Sequence, residues 1–289
     1  MDVEQEWQPF DGYALDEANG PVVLSVPHAG RDYPLPLRAA LRTPLEALRP
    51  LEDRHVDTLA LAARHSETML VQRRARAWID LNRAEHERDP GIDSGADHHA
   101  MPHPSAKLRG GLGLVPRRVP GAGEIWQRRF DGEEIAARIL QDYRPYHAAL
   151  AAALKRARAR HGIAILLDLH SMPPLGRGFP RIVFGDRFGR SAATRFVHCL
   201  EAVTARTGTA SALNSPYAGG HILDRHAHPA GGFHAIQVEF DRSLYLDAAL
   251  DQPGEGLAAT AALLRGMIDA LVDEALAPGD DRFAVLAAE

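Results

Sequence analysis

Apolar residues fall along this chain in two rhythms. Short runs rich in valine, leucine and isoleucine occur at "PVVLSV" (21–26), "TMLV" (68–71), "AWIDL" (77–81), "IAILLDL" (163–169), "RIVFGD" (181–186) and "HAIQVEF" (234–240). Each reads as a strand, most of them buried on both faces. Between them, apolar positions recur at helical spacing over 56–65, 131–162, about 189–207 and 256–276. Pro145 predicts a bend in the second of these helices, and Gly162 its end. Residues 84–123 follow neither rhythm and are rich in Gly, Pro and His. A loop of that length is usually functional or disordered. Strands alternating with helices predict an α/β fold with a largely parallel sheet. The expectation is one domain over 1–289 with a long irregular loop at 84–123.

In such sheets ligands gather outside the carboxyl ends of the strands. Three of the apolar runs end on residues capable of chemistry. "PVVLSVPHAG" ends in His28, "IAILLDLHS" in Asp168 and His170, and "HAIQVEFDRS" carries Glu239 near its end. Were these strands parallel neighbours, two histidines and a carboxylate would share one rim, fit to bind a metal or to move protons. Asp168 and His170, two apart on a strand, point to one face. A carboxylate beside a ligating histidine fixes its tautomer and raises its basicity. An aspartate that merely starts a turn is the plainer reading of Asp168. His28 alone is a weak signal, since a histidine after a strand is more often an ordinary loop residue, although Pro27 and Gly30 suggest a shaped turn.

Other stretches add candidates. "LEDRHVDTLALAA" (51–63) offers Glu52, Asp53, His55 and Asp57 at a helix start, where helix capping explains one or two acids cheaply. As a metal ligand, Asp53 is the first choice and Asp57 the rival. Asn82–Arg83 closes "WIDLNR", and a guanidinium beside an amide suits a substrate carboxylate, or else a surface salt bridge. In "NSPYAGGHILDRHAHPAGGFHAIQVEF" (214–240), Gly219 and Gly220 suggest close backbone approach to a ligand and Arg225 a second anion clamp. A mobile surface loop is the alternative. Its histidines lack a clean ligand spacing. "HHAMPH" (98–103) reads as a solvated loop.

Composition narrows the class. The chain has 289 residues, 45% hydrophobic and 25% charged, with a net charge of −5. That charge gives no footprint for nucleic acid or an anionic membrane. Lysine occurs only at 107 and 155, so the positive charge is almost all arginine, which suits carboxylate recognition. A single cysteine, Cys199, excludes a disulfide framework within the chain. The acidic start lacks an apolar signal segment, and no run is long enough to span a membrane. A reducing cytoplasm is the expected location. No G-x-x-x-x-G-K phosphate loop is present, and "GGLG" (110–113) is isolated.

Taken in order, "SVPHAG", "EDRHVD", "DLNR", "YRPYHAAL", "LLDLHSMP", "NSPYAGGHI" and "QVEFDRSLYLD" resemble the N-formylglutamate amidohydrolase (deformylase) family over roughly residues 20 to 250. That family is similar in its core to zinc carboxypeptidases and aspartoacylases. The resemblance implies a three-layer α/β/α sandwich around a mixed, largely parallel sheet, with one zinc per chain. It implies that His28, His170 and a carboxylate of "EDRHVD" hold the ion and that Glu239 is the general base and acid. Asn82–Arg83 looks like the pair that holds the substrate carboxylate in the carboxypeptidase relatives, and Arg225 sits where an arginine follows the paired glycines. The chain departs from the family in having "LDRHAHP" where "RYG" often follows those glycines.

The activity so implied is zinc-dependent cleavage of N-formyl-L-glutamate to formate and glutamate, which in the family can close a histidine-degradation route. A related N-acyl amino acid amidohydrolase or a carboxypeptidase-like enzyme is the first alternative. A non-enzymatic binder of an acidic metabolite is the second. The partner expected is a small N-acyl amino acid, with no nucleic acid or membrane. Monomer and oligomer stay open.

Overall fold

The computed structural model describes residues 8–97, 104–119 and 121–277. The "HHAMPH" reading therefore lies outside the described residues. In chain order the strands are β1 (Phe10–Tyr13), β2 (Val22–Val26), β3 (Thr68–Gln72), β4 (Arg118–Val119), β5 (Gly123–Glu124), β6 (Ala164–Met172), β7 (Ile182–Gly185), β8 (Ser211–Leu213) and β9 (Phe233–Asp241). The α-helices are α1 (Leu35–Ala40), α2 (Val56–Ala63), α3 (Ala106–Arg109), α4 (Gly132–Arg138), α5 (Arg144–His161), α6 (Thr194–Arg206), α7 (His221–His226) and α8 (Leu257–Leu276).

Seven strands form one sheet in the order β1-β3-β2-β6-β9-β7-β8. β3, β2, β6 and β9 run parallel, and so do β7 and β8. β1 and the β7–β9 pairing are antiparallel. The sheet is thus mixed and mostly parallel, as expected of this α/β fold. β2, β6 and β9 are direct neighbours, so their carboxyl ends do meet on one rim.

Period-two alternation builds the layers. Leu24, Leu167, Leu169, Ile236 and Val238 pack on one face with Leu59 of α2, Leu200 of α6 and Leu264 of α8. Val23, Leu166 and Ala235 face the other way, against Ile135 of α4 and Tyr143, Tyr146 and Leu150 beside or in α5. Each such leucine or isoleucine contributes roughly 1.5–3 kcal/mol when fully buried. The polar residues at the strand ends continue this second face, so the apolar alternation fixes where they point.

Two expectations are corrected. Residues 77–81 are not a strand. The segment is a turn and coil with Ala77, Ile79 and Leu81 buried and Trp78 half-buried, and side chains take up the carbonyls in it and just after it. Arg138 donates to the Trp78 carbonyl at 3.1 Å, His147 to Leu81 at 3.0 Å and the Tyr143 hydroxyl to Arg83 at 2.8 Å. An alternating apolar pattern without sheet partners is satisfied by these contacts from α4, α5 and the turn between them. The long helix is also divided. A π-helical turn over Ile139–Tyr143 separates α4 from α5. Pro145 has no N–H to offer, and the Arg144 N–H reaches back to the Ile139 carbonyl, which widens the helix just before the proline. The end holds: Gly162 is left-handed, with φ of 79°.

Candidate functional site

His28 lies just after β2, His170 near the end of β6, and Asp53 in the loop before α2. The Asp53 N–H donates to the His28 carbonyl at 3.0 Å, which ties that loop to the strand end. All three side chains are buried, and one ligand atom from each lies within 4.8 Å of the others. The His170 Nδ1 is 2.9 Å from Asp53 Oδ2, and His28 Nδ1 is 3.6 Å from the same oxygen.

The outer ring nitrogens decide the tautomers. His28 Nε2 is 2.8 Å from Asp80 Oδ1, and His170 Nε2 is 2.9 Å from Asp168 Oδ2. A carboxylate only accepts, so each Nε2 carries the proton. By the same rule His170 Nδ1, 2.9 Å from Asp53, also carries a proton until a cation takes its place; both Nδ1 lone pairs then face the Asp53 carboxylate. His28 Nδ1 is buried without any hydrogen-bond partner. Two lone pairs and a carboxylate oxygen converging in a buried space form a donor set that a cation fits.

The charges respond to that crowding. Burial alone would push the Asp53 carboxyl up, but His170 and His28 outweigh it and hold it well below the usual range. Burial likewise opposes charge on His170, yet Asp168 and Asp53 hold its imidazole well above its ordinary value. Without a cation, His170 therefore keeps a second proton, which a bound ion must displace.

Asp168 is anchored in turn. The Ser25 hydroxyl donates to its Oδ1 at 2.7 Å, and Ser25 Oγ lies 2.9 Å from the Tyr146 hydroxyl. Ser25 is opposite Asp168 in the β2–β6 register. Asp80 was missed in the sequence because it sits in the stretch misread as a strand. It is fully buried, and Arg76, Arg83 and His28 outweigh its burial to hold it well below the usual carboxylate range. Its nearness to the Asn82–Arg83 pair was the one available signal.

Glu239 is opposite His170 in the β6–β9 register. Burial pushes its carboxyl up to about 7; His170 draws it down and Asp53 pushes it up. The Gln237 amide donates to Glu239 Oε1 at 2.8 Å. A buried carboxyl poised there can exchange a proton near neutral pH.

These residues line a cavity of about 320 Å³, with Arg76, Asn82, Arg83, Lys107, Tyr217, Gly219 and Arg242 among its walls. That is a size suited to a small metabolite. Arg83 is buried; its Nε and Nη1 donate to the carbonyls of Leu112 and Asn82 at 2.8 and 2.6 Å, and its Nη2 lies 3.7 Å from the buried Asp80 behind the cavity wall. Asn82 is engaged within the protein: its Oδ1 accepts from the Ile222 N–H at 2.9 Å, and its Nδ2 lies 3.4 Å from Gln237 Oε1. Gly220 is needed for this, since a Cβ there would sit 2.3 Å from Asn82 Oδ1. Gly219, with φ of 100°, adopts a backbone that glycine favours.

Two other expected residues stand apart from this cavity. Asp57 forms a two-pronged ion pair with Arg31 at 3.1 and 2.6 Å. Arg225 is exposed on α7, with its guanidinium 5.9 Å from the Tyr143 ring centre.

The sequence profile of the N-formylglutamate amidohydrolase family matches residues 20–246. An N-formylglutamate deformylase of Pseudomonas putida is 32% identical over 237 residues, covering 78% of this chain and 82% of that one. Its counterpart in Pseudomonas aeruginosa is 28% identical over 275 residues, covering 91% and 96%. The crystal structure of N-formylglutamate amidohydrolase from Ralstonia eutropha JMP134 superposes with a TM-score of 0.81 at 31% identity, over 91% of this chain and 98% of that one. A protein of Agrobacterium tumefaciens shares the fold, with a TM-score of 0.65 at 18% identity. Among the described residues, no helix is long and apolar enough to cross a membrane.

Proposed function

The chain belongs to the N-formylglutamate amidohydrolase family, and we propose that it hydrolyses N-formyl-L-glutamate to formate and L-glutamate with one divalent ion, zinc by its donor set. The observation that carries the metal is the pair of Nδ1 atoms turned on Asp53, with His28 Nδ1 otherwise unpartnered. Two imidazoles and one carboxylate suit zinc and leave a position open. A divalent ion held there would activate water and polarise the formyl carbonyl.

The chain's own residues do the rest. Glu239 accepts the proton of the attacking water and delivers it to the departing amine. Burial sets its value at about 7 before any ion is bound; a nearby cation lowers it, so the carboxylate is the resting form that takes the proton and the acid forms during the reaction. Arg83 faces the cavity as a carboxylate anchor, fixed by its two backbone acceptors. Asn82 sets the wall beside it, holding the start of α7 through Ile222. Asp168 and Asp80 keep the two imidazoles turned so that Nδ1 faces inward.

That last role has a measurable consequence. Asp80→Asn keeps an acceptor for His28 but removes the negative charge, so metal affinity falls about ten- to a hundredfold. Competition against a metal-sensitive dye measures it; unchanged affinity would remove Asp80 from the site.

The direct test of the whole reading is formate release from N-formyl-L-glutamate, before and after chelator and again with zinc restored. Release that chelator abolishes and zinc returns supports the reading. A zinc-loaded protein that releases no formate moves the substrate to another N-acyl amino acid. Release unaffected by a chelator that strips the metal would overturn the metal role.

A further inference from the structure

The cavity holds more positive charge than the chemistry above uses. Arg76, Arg83, Lys107 and Arg242 all line it. Arg242 is directed to its own neighbours: its Nη2 donates to the Glu52 carbonyl at 2.6 Å and its Nε to Ser171 Oγ at 3.1 Å. Arg76 and Arg83 share a single carboxylate, Asp80, at 2.8 and 3.7 Å, which also holds His28. Arg76 meets it through Nε alone. Among the described residues, its Nη groups have no hydrogen-bond partner, and Lys107 forms neither a side-chain hydrogen bond nor an ion pair.

Lys107 is not placed by an idle loop. Ser105 caps its turn, accepting from the Leu108 N–H at 3.1 Å. Leu108 is buried, and the Lys107 carbonyl accepts from the Leu112 N–H at 2.8 Å. Leu112 itself lines the cavity. Partial burial, and then the positive charge of Arg83, push the Lys107 ammonium down to about 8. Asp80 and Glu239 act on this ammonium only through space, so a cation lining the cavity beside two guanidiniums leaves room for an anion in direct contact.

We infer that Lys107 and the free end of Arg76 form a second carboxylate subsite, distinct from Arg83, which selects substrates with an acidic side chain. The inference rests on the N-acyl amino acid hydrolase reading above. Every such substrate carries one carboxylate, which Arg83 can take. A substrate with one carboxylate leaves the Lys107–Arg76 donors unmatched. A diacid matches both groups, and each charge-assisted pair adds affinity and orientation. The sequence supports a specific role: lysine occurs at only two positions in the chain, and one of them stands at this cavity.

The test compares N-formyl-L-glutamate with N-formyl-L-glutamine, which differ in side-chain charge but hardly in shape. Wild type should prefer the acid. Lys107→Gln should lower kcat/KM for the acid about ten- to a hundredfold, through KM, and change the amide substrate by no more than about twofold. Much of the Lys107 side chain is exposed even though its ammonium end faces the cavity, so this variant should fold normally. An equal change for both substrates, or none, would overturn the subsite. A second measurement does not need turnover. Calorimetry of the metal-loaded protein with glutarate and with pentanoate compares ligands of equal length that differ by one carboxylate. A glutarate preference that Lys107→Gln removes upholds the subsite even if formate is never released from N-formyl-L-glutamate. No preference for glutarate in wild type would sink it.

Discussion

Glu239→Gln should bind metal as wild type does and lose turnover by about a hundred- to ten-thousandfold, the span of general acid–base catalysis. The amide fills the same space at the end of β9 and cannot take a proton from water at neutral pH. Glu239 is not one of the three converging ligand residues, so metal content should hold. KM should change little, because the loss falls on the chemical step. The pH profile adds a separate signature. In the proposed reaction the working base is the Glu239 carboxylate, so activity falls as pH drops through its pKa. Without a cation burial sets that value at about 7, and a divalent ion nearby draws it lower. The acid limb of wild type should therefore lie below about 7 and vanish from the residual activity of the variant. Metal analysis and formate release across pH check both points. A Glu239→Gln protein that hydrolyses normally would show that the base is elsewhere.

Asp53→Asn should lower metal affinity by more than about a hundredfold, beyond the ten- to hundredfold effect of losing an outer partner. The carboxylate is the only anionic ligand of the cluster, and it is the group on which both Nδ1 atoms converge. Asp57→Asn is the matched control. Asp57 belongs to a half-exposed ion pair with Arg31, worth about 0–1 kcal/mol to stability. Its loss should leave metal binding within about twofold, since a charge outside the cavity is largely screened. Metal titrations of the two variants, with thermal melts to show that each is folded, separate the neighbouring acids. Intact binding in Asp53→Asn, or its loss in Asp57→Asn, would reverse the assignment.

Much of this was legible along the chain. "PVVLSV", "IAILLDL" and "HAIQVEF" declared their strands because both faces are buried, and a polar residue ending such a run has to answer to something at the sheet's rim. His28, Asp168, His170 and Glu239 were found by that rule. The edge strands β1 and β8 were not, because four or three partly exposed residues carry too little pattern. The error at 77–81 has the same root. Buried alternation is written identically whether the backbone is satisfied by neighbouring strands or by side chains such as Arg138 and His147, and that mistake hid Asp80.

By itself the sequence determined the α/β class, the polar strand ends and the ordered motifs that mark the family, since each is a local pattern carried by residues close in the chain. The tertiary structure decided which acid of "EDRHVD" turns inward, which nitrogen of each histidine faces it, and that Lys107 and Arg76 line one cavity. Those outcomes depend on partners far apart in sequence: Asp53 against His170, Ser25 against Asp168, His28 against Asp80. Such pairs are chosen by the strand order and by the packing of α5 on the sheet, which no single stretch encodes.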